Sequence, residues 1–414
     1  MNPILKENFC VPDVEARVMP DGRLYIYGSW DLYGNNAYCS HELHAFSTDD
    51  MENWVDHGVI FRNNNEWKGI PWQKDALLYA PDAIYRDGKY YLYVCGNGNV
   101  EGVAVADTPI GPFSVAEKIE GADGDGIDPA VFIDDDGQAY YFWGQFHLRG
   151  AKLNKDMKTL DKSSVKTHIL TEWEHGFHEG ASIRKIGKKY YMLFTDISRG
   201  KATCLSYAIA DYPLGPYKKC GVIIDNVYCD DKTWNNHGSI ACFKGQWYVF
   251  YHRSSQNSTF NRRVCVEKIE FDEKGYIKEV EQTSQGASKS INALENVKAS
   301  LVCKMMGGLY LESEGGREVL TKCGDVHYGS ASDWAEYKYL DFGGGATKFE
   351  AIVKGTGKII VKIENDRTLA EIDFNTDDYA TISAELREKV CGIHAVWLIV
   401  ASGDFKLKSF KFKL

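Results

Sequence analysis

Short runs of alternating hydrophobic and polar residues follow one another along the first 275 residues, and no long stretch of helical periodicity separates them. Many of these runs are rich in Tyr, Phe and Trp, and Gly, Asp or Asn residues stand between them. Runs of this kind predict short β-strands that are joined by tight turns. The pattern therefore predicts an all-β protein.

One sequence unit recurs five times, as a glycine that is followed by polar residues and an aromatic strand. The glycines are Gly22, Gly88, Gly137, Gly187 and Gly245, at intervals of 49 to 66 residues. A short apolar strand precedes each glycine, so each unit contains a hairpin, often with an Asp-Gly turn. Units of about four strands that repeat radially are typical of a β-propeller, which predicts five blades. A plain β-sandwich with similar hairpins is the alternative.

Charged residues occupy equivalent places before these hairpins. Asp13 and Asp128 lie nine residues before their turn glycines, Glu179 and His237 lie eight before theirs, and Asp82 lies six before its own. The inner strands of a propeller surround a central channel, so we expect these side chains to meet at one mouth of it. A single acid often only caps a strand, but crowded carboxylates repel and raise at least one pKa. Hydrolysis of a glycosidic bond needs such a pair, one to protonate the leaving oxygen and one to activate water or attack.

Composition narrows the classes of function. The net charge of −10 over 414 residues argues against a phosphate-binding surface and so against nucleic acid as a partner. No apolar run approaches the length of a membrane span. The 11 cysteines are scattered without a C-x-x-C pair, as in proteins with reduced thiols. The segment MNPILKENFC has no signal-peptide pattern, so we expect a cytoplasmic protein unless a signal segment has been removed.

The stretches around these residues resemble glycoside hydrolase family 43, five-bladed propeller enzymes that act on plant arabinans and xylans. The matching segments are NPIL, PDVEARV, YAPDAIYRDGKYYLY, IDPAVFIDDDGQAYYFWG, HEGASIRKIGKKYYMLF and NNHGSIACF. The resemblance implies an inverting mechanism in which Asp13 is the general base and Glu179 the general acid, with Asp128 orienting the acid and adjusting its pKa. It also implies a calcium ion that His237 holds near the channel centre through a water shell, and no organic cofactor.

Several further residues are candidates for contact with substrate. Trp30, Trp72, Trp143 and Phe177 are aromatic platforms on which a sugar face packs, although each equally suits the core. Asp82 and Arg263 are polar candidates, and Arg262 is an equal alternative to Arg263. The chain departs from the family at Trp30, often His, at Tyr79, often Trp, and at His178, often Phe. Since these positions should face the subsites, they bear on substrate preference.

The C-terminal region follows a different pattern. A polar segment at 280–293 predicts a linker between a propeller domain at 1–280 and a second domain at 294–414. Strands at roughly ten-residue spacing predict a jelly-roll β-sandwich there. EYKYLDFG and GIHAVWLIV resemble a family-6 carbohydrate-binding module, with Trp334 and Tyr379 as candidate sugar contacts. Because the last strand lacks the usual polar residue beside an aromatic, a purely structural module is the alternative.

The sequence thus predicts an exo-acting inverting glycosidase. It would release terminal α-L-arabinofuranosyl or β-D-xylosyl units from arabinose- or xylose-containing oligosaccharides, as such family members do. An endo-arabinanase of the same family, a propeller lectin without catalysis and a scaffold for protein partners are the alternatives. The lectin interpretation predicts that one of the three acids is missing, yet all three are present. The pattern does not decide between a monomer and a homo-oligomer.

Overall fold

A computed structural model of the chain describes residues 1–98, 100–122, 126–229, 232–256, 258–323, 333–364 and 366–414. Up to residue 269, the described strands form five separate antiparallel sheets in chain order. The sheets comprise, in turn, β1 (Glu15–Val18), β2 (Leu24–Ser29), β3 (Glu42–Thr48) and β4 (Trp54–Arg62); β5 (Asp82–Arg86), β6 (Lys89–Gly96), β7 (Val100–Ala106) and β8 (Glu117–Lys118); β9 (Ala130–Ile133), β10 (Ala139–Trp143) and β11 (Arg149–Leu153); β12 (Phe177–Ile186), β13 (Lys189–Asp196), β14 (Cys204–Ala210) and β15 (Lys218–Asp225); β16 (Ser239–Phe243), β17 (Gln246–Arg253) and β18 (Arg263–Ile269). The predicted five-bladed propeller is confirmed.

The first strand of each sheet faces a common axis. β1, β5, β9, β12 and β16 contact one another in that order, and β16 contacts β1 to complete the ring. The N-terminal residues pack on the last blade, where Ile4 N donates to Val264 O at 3.1 Å and Asn2 Nδ2 donates to Val266 O at 3.1 Å. The heads of all five inner strands therefore open at the same mouth of one channel.

Tight turns and aromatic packing explain why the sequence forms these blades. Gly22, Gly88 and Gly137 have φ angles of 81°, 82° and 82°, in the left-handed region that the hairpin turns require. The middle strands are buried on both faces, and Tyr93 and Tyr141 pack together between the second and third blades. The aromatic residues of the repeat thus fill the spaces between blades.

Helices are few and short in the described parts of the chain. They are one α-helix, α1 (Glu172–His175), and two 3-10 helices at Lys162–Ser164 and Ala299–Leu301. The side chain of Thr171 accepts a hydrogen bond from Glu174 N at the start of α1, and Gly176, with φ of 74°, ends it. None of the described helices has the length and apolar character needed to cross a membrane.

The chain after the propeller folds into one large, mostly antiparallel sheet system that encloses its own hydrophobic core. Its three longest strands, β25, β26 and β27, pair side by side with several register shifts. The strands are β19 (Ile291–Asn292), β20 (Val297–Lys298), β21 (Lys304–Met306), β22 (Leu309–Glu314), β23 (Arg317–Lys322), β24 (Asp333–Asp341), β25 (Ala346–Ile363), β26 (Arg367–Val390) and β27 (Ile393–Lys413). The fold class, a propeller followed by a β-sandwich, is confirmed, whereas the resemblance to a carbohydrate-binding module stays a prediction.

The segment 280–293 connects the two units and is fixed to both. Thr283 N donates to Glu267 Oε1 at 2.7 Å in the last blade, and Ser284 N donates to Lys338 O at 2.6 Å in β24. Both residues are buried. The polar residues of the predicted linker therefore form buried hydrogen bonds at this junction. The domain limits 1–280 and 294–414 stay a prediction.

A buried ion pair joins the propeller to the β-sandwich. The guanidinium of Arg263 at the start of β18 pairs with the carboxylate of Glu318 in β23, and both side chains are buried. Glu318 N also donates to Glu7 Oε2 at 3.3 Å. Nearby aromatic packing extends the contact, since Trp334 lies 5.9 Å from Tyr228 between ring centroids. Arg263 therefore serves the interface between the two units.

We expect Glu318→Gln to lower the free energy of unfolding by roughly 3–5 kcal/mol, because the substitution leaves the buried charge of Arg263 without its partner. Urea titration followed by tryptophan fluorescence measures the change. Glu388→Gln removes the partner of Arg367 in an exposed, solvent-screened ion pair and should lower the free energy of unfolding far less. Equal losses in the two variants would contradict a stabilising role for the buried pair.

Candidate active site

A small cavity opens at the mouth of the propeller channel. Its volume is about 240 Å³. Asp13, Asp128, Glu179 and His237, which are far apart in sequence, all line it. The remaining lining residues are Tyr38, Cys39, Tyr79, Ile127, Gln145, His178, Trp234, Asn235 and Arg262. The structure thus brings the three predicted acids and the predicted histidine together at one site.

Asp13 lies two residues before β1 and is held in an uncommon backbone conformation. Its φ angle is 58°, in the left-handed region that Asp tolerates better than most residues. Ser29 Oγ donates to its Oδ2 at 2.9 Å, and Arg262 Nη1 donates to its Oδ1 at 2.8 Å. A buried carboxylate is costly without such partners, so these contacts compensate its negative charge.

Arg262 links Asp13 to a second buried carboxylate. Its Nε donates to Asp31 Oδ2 at 2.9 Å and its Nη2 donates to Asp31 Oδ1 at 2.8 Å, a bidentate arrangement that fixes the plane of the guanidinium. The guanidinium also lies 4.8 Å from the ring centroid of Tyr38. Burial lowers the pKa of Arg262, but the charges of Asp13 and Asp31 outweigh this effect and hold that pKa well above its ordinary value. Arg262 stays charged and in place.

Asp128 precedes β9 at the place that Asp13 occupies in the first blade, and its φ angle is 55°. Gly180 N donates to its Oδ2 at 3.0 Å, and its own backbone N donates to Cys95 Sγ at 3.3 Å. Burial, followed by the charges of Glu179 and Asp13, raises the pKa of Asp128 well above its ordinary value. The group of acids therefore retains a proton more readily than isolated carboxyls do.

Glu179 lies in β12, where two register shifts interrupt the pairing with β13. Bulges of this kind redirect a side chain, here toward the cavity. Gly180 follows with φ of 69°, and a Cβ at that position would stand 2.8 Å from Thr195 Oγ1 and 3.0 Å from the ring of His237. Gln145 Nε2 donates to Glu179 Oε2 at 2.8 Å. Glycine at 180 thus permits both the turn of the strand and the contact with Asp128.

Two histidines lie beside the acids. His237 Nδ1 stands 3.7 Å from Asp13 Oδ1 and 3.8 Å from Asp128 Oδ2, which is longer than a hydrogen bond. His252 is fully buried, and its Nδ1 accepts a hydrogen bond from Asp13 N at 3.3 Å. Burial lowers the pKa of His252 well below its ordinary value, so its ring is neutral. The described residues contain no group of three or more His, Cys, Asp or Glu side chains arranged to hold a metal ion directly.

Comparison with known proteins agrees with this geometry. The family model for glycosyl hydrolases family 43 matches residues 1–277. The chain belongs to glycosyl hydrolase family 43. This family membership, together with the relatives below, makes the protein a glycoside hydrolase of the xylosidase/arabinosidase type.

Relatives match over most of the chain. A xylosidase/arabinosidase of Thermoclostridium stercorarium is 30% identical and aligns with 99% of this chain and 98% of its own length. The structure of a β-xylosidase/α-arabinofuranosidase from a compost microbial metagenome, with xylotriose and in a calcium-free form, is 30% identical, with a TM-score of 0.59 over 68% of this chain and 97% of that one. An arabinoxylan arabinofuranohydrolase from Bacillus subtilis shares the fold over 100% of this chain and 97% of its own, with a TM-score of 0.59 at 23% identity.

Six residues that sequence reasoning places at the substrate do not line the cavity of this family 43 enzyme. They are Trp30, Trp72, Asp82, Trp143, Phe177 and Arg263. Trp143 and Phe177 are fully buried in the cores between blades, and Trp72 packs on the core between the first two blades. Trp30 stacks on His44 with 3.9 Å between ring centroids. Arg263 is engaged with Glu318, so the alternative, Arg262, is the arginine at the site.

Asp82, the first residue of β5, lies within a network of paired charges. Arg17 Nη2 stands 2.7 Å from Asp82 Oδ2, and Arg17 Nε stands 3.1 Å from Glu15 Oε1. Arg184 also pairs with Glu15. Burial raises the pKa of Asp82 to about 6 although Arg17 opposes the rise. These ion pairs occupy the channel next to the acids of the mouth.

The sequence repeat does not identify the other residues that line the cavity. Tyr79 and His178 line the cavity, as their departures from the family pattern predict for positions that face the subsites. Gln145, Asn235 and Trp234 lie in loops between strands and carry no repeated signal. The loops at the mouth are therefore where sequence reasoning about this site is weakest.

A further buried acid lies behind Asp128. Glu101 in β7 is almost fully buried and accepts a hydrogen bond from the hydroxyl of Tyr141. Its second oxygen, Oε1, has no hydrogen-bond partner among the described residues. Burial raises the pKa of Glu101 to about 8, although the bond from Tyr141 opposes the rise. Its charge also contributes to the raised pKa of Asp128.

We expect the stability of the Glu101→Gln variant, relative to that of the wild type, to increase as the pH rises from 5 to 8. The folded protein holds the Glu101 proton up to about pH 8, whereas the unfolded chain releases it near its ordinary pKa of 4.5. The stability of the wild type therefore falls over this interval, and a glutamine does not contribute to that fall. Thermal unfolding at several pH values gives the difference in Tm.

Glu117→Gln is the matched control, because Glu117 is an exposed glutamate on the neighbouring strand β8. Its difference in Tm, measured at the same pH values, is the baseline for an exposed carboxyl group. A difference for Glu101→Gln that is flat between pH 5 and 8 would contradict the raised pKa.

Proposed function

We propose that this enzyme removes terminal α-L-arabinofuranosyl or β-D-xylosyl units from oligosaccharides derived from xylan and arabinoxylan, with inversion at the anomeric carbon. The observation that carries the proposal is the meeting of Asp13, Asp128 and Glu179 around one cavity of about 240 Å³. This volume lies below the range of roughly 300–1,000 Å³ of sites for drug-sized ligands, and suits a single sugar unit. The relatives named xylosidase/arabinosidase support the choice of sugars.

Asp13 is the general base of this proposal. Arg262 and Ser29 each donate a hydrogen bond to one of its two carboxylate oxygens, and these bonds hold the carboxylate in one orientation. The compensating charge of Arg262 keeps a carboxylate stable in a nearly dry site. Asp13 thereby accepts the proton of a water molecule that attacks the anomeric carbon.

Glu179 is the general acid, and Asp128 positions it. Gly180 N binds Asp128 directly, so the backbone that carries Glu179 is anchored to the neighbouring blade. Burial, followed by the charge of Glu179, raises the pKa of Asp128, so the site retains a proton beside Glu179, and Glu179 delivers a proton to the leaving oxygen. Gln145 fixes the orientation of the Glu179 carboxyl through its amide.

The size of the cavity favours exo over endo action. An endo-arabinanase has to accommodate sugar units on both sides of the bond that it cleaves, which requires a longer groove. The cavity here takes about one unit.

We expect Glu179→Gln to lower kcat on an oligosaccharide by roughly 10²–10⁴-fold, the usual contribution of a general acid. On an aryl glycoside, whose leaving group needs little protonation, the loss should be under about tenfold. Steady-state rates on xylobiose or an arabinoxylan oligosaccharide and on the matching p-nitrophenyl glycoside measure the two losses.

Asp13→Asn is the matched control for this test. It removes water activation, which both substrates need, so its two losses should be similar. Equal losses on both substrates in Glu179→Gln would remove Glu179 from the role of acid, and full activity of Asp13→Asn would require another base.

The residues around His237 fit a calcium ion held through water better than one held by direct ligands. His237 Nδ1 points between Asp13 and Asp128 at distances too long for hydrogen bonds, and three carboxylates line a cavity with one arginine. Calcium prefers oxygen ligands and commonly takes water among them. We propose that His237 holds the ion through its water shell, and the ion, when bound, would supply positive charge near the acids.

We expect calcium to raise the Tm of the wild type and to leave the Tm of His237→Asn unchanged, because binding to the folded state stabilises it. Chelation with EDTA should lower kcat, and added calcium should restore it. Magnesium at equal concentration is the control for ionic strength. No change in Tm and no loss of activity after chelation would contradict the proposal.

A further inference from the structure

A row of aromatic and imidazole rings leads away from the catalytic cavity on the mouth face of the propeller. We call it the aromatic strip, and its members are Trp234, His178, Phe146, His147, His168 and Trp173. Trp234 and His178 line the cavity itself, with 6.4 Å between their ring centroids. Phe146 meets His178 edge to face at 5.2 Å. The strip is thus continuous with the catalytic site.

The outer half of the strip begins at His147, the residue that follows Phe146 in the chain. His147 stacks on His168 with 5.0 Å between centroids and an interplanar angle of 22°. His168 lies 5.7 Å from the ring of Trp173 in α1. Each ring in the outer half therefore lies against the next.

Backbone hydrogen bonds hold the strip in place. Phe146 N donates to His178 O at 2.7 Å, and Glu172 N donates to Phe146 O at 2.9 Å. The carboxylate of Glu172 lies 2.8 Å from His178 Nδ1. The two loops that carry the rings are therefore joined to each other and to the strand that bears Glu179, so a ligand finds the rings already positioned.

Packing in the hydrophobic core does not explain why several of these rings are exposed to solvent. Trp173 is 74% exposed, Phe146 44% and Trp234 41%. Large aromatic side chains in contact with solvent next to a catalytic cavity mark a binding surface. Sugar rings present C–H faces that pack on aromatic rings while their hydroxyls remain in water, and such a surface suits an uncharged, linear ligand.

We propose that the aromatic strip binds the leaving-group side of a linear oligosaccharide whose terminal unit occupies the cavity. The inference rests on the proposed function. Because the cavity takes about one unit, the other units have to pass over its rim, and the strip begins at that rim with Trp234 and His178. The enzyme therefore prefers longer oligosaccharides, with Trp173 contacting units that are distant from the cleaved bond.

The test compares xylobiose with xylopentaose. Trp173→Ala should lower kcat/KM for xylopentaose roughly three- to tenfold more than for xylobiose, the scale of one aromatic contact. Tyr212→Ala is the control, since Tyr212 is 68% exposed but follows β14, whose end lies at the opposite face of the propeller. It should change neither value.

Calorimetric titration of Glu179→Gln with the same two sugars measures binding without turnover. We expect tighter binding of xylopentaose, and we expect the added Trp173→Ala substitution to reduce that advantage three- to tenfold. Equal binding of the two sugars, or equal effects of Trp173→Ala on both, would contradict the proposal that the aromatic strip binds the oligosaccharide. Length-dependent binding without cleavage of any glycoside would instead contradict the proposed function and would still support binding by the strip.

Discussion

Three carboxylates from different blades share one small cavity, and the electrostatic cost of this crowding governs how the neighbouring residues are used. Arg262 compensates Asp13 and is itself held by Asp31, so one guanidinium serves two acids. Asp128 has no such cation within hydrogen-bond distance among the described residues, and burial together with Glu179 raises its pKa. The site thus contains one acid whose negative charge a cation compensates and another that retains a proton, which is the division that acid–base hydrolysis needs.

The same principle separates acids that are available for chemistry from acids that are not. Asp82 stands at the head of an inner strand, as Asp13 and Asp128 do, and Arg17 binds it at 2.7 Å while Val131 N donates to it at 2.7 Å. Asp13 also pairs with an arginine, but its side chain lines the cavity, whereas that of Asp82 does not. Position in the repeat identifies the candidates, and access to the cavity distinguishes the acids that act from those that only pair with cations.

The sequence predicts the architecture and the acids well because both follow from the repeat. Five hairpins with a turn glycine, three of them Asp-Gly, predict five sheets, and equivalent positions before them converge once the ring closes. The aromatic residues predicted to contact the sugar do not line the cavity, and the reason is physical. Side chains such as that of Trp143 point into the spaces between blades, where they form the hydrophobic core. Arg262 and Arg263 are neighbours, and successive side chains of an extended chain point to opposite sides, so composition alone does not distinguish them. The loops at the mouth that carry Gln145 and Trp234 contain no repeated sequence pattern, so the sequence does not identify these residues.

The aromatic residues of the C-terminal unit show how a sandwich of this kind is used here. Trp334 packs against Tyr228 of the propeller, and the ammonium of Lys408 lies 3.4 Å from the ring centroid of Tyr379. A ring face that is covered by a protein side chain is not free to pack on a sugar. Together with the buried pair of Arg263 and Glu318 and the fixed segment at Thr283, these contacts favour the structural alternative for this unit. Recognition of the sugar chain then falls to the propeller itself, whose exposed rings lie at the mouth where the acids are.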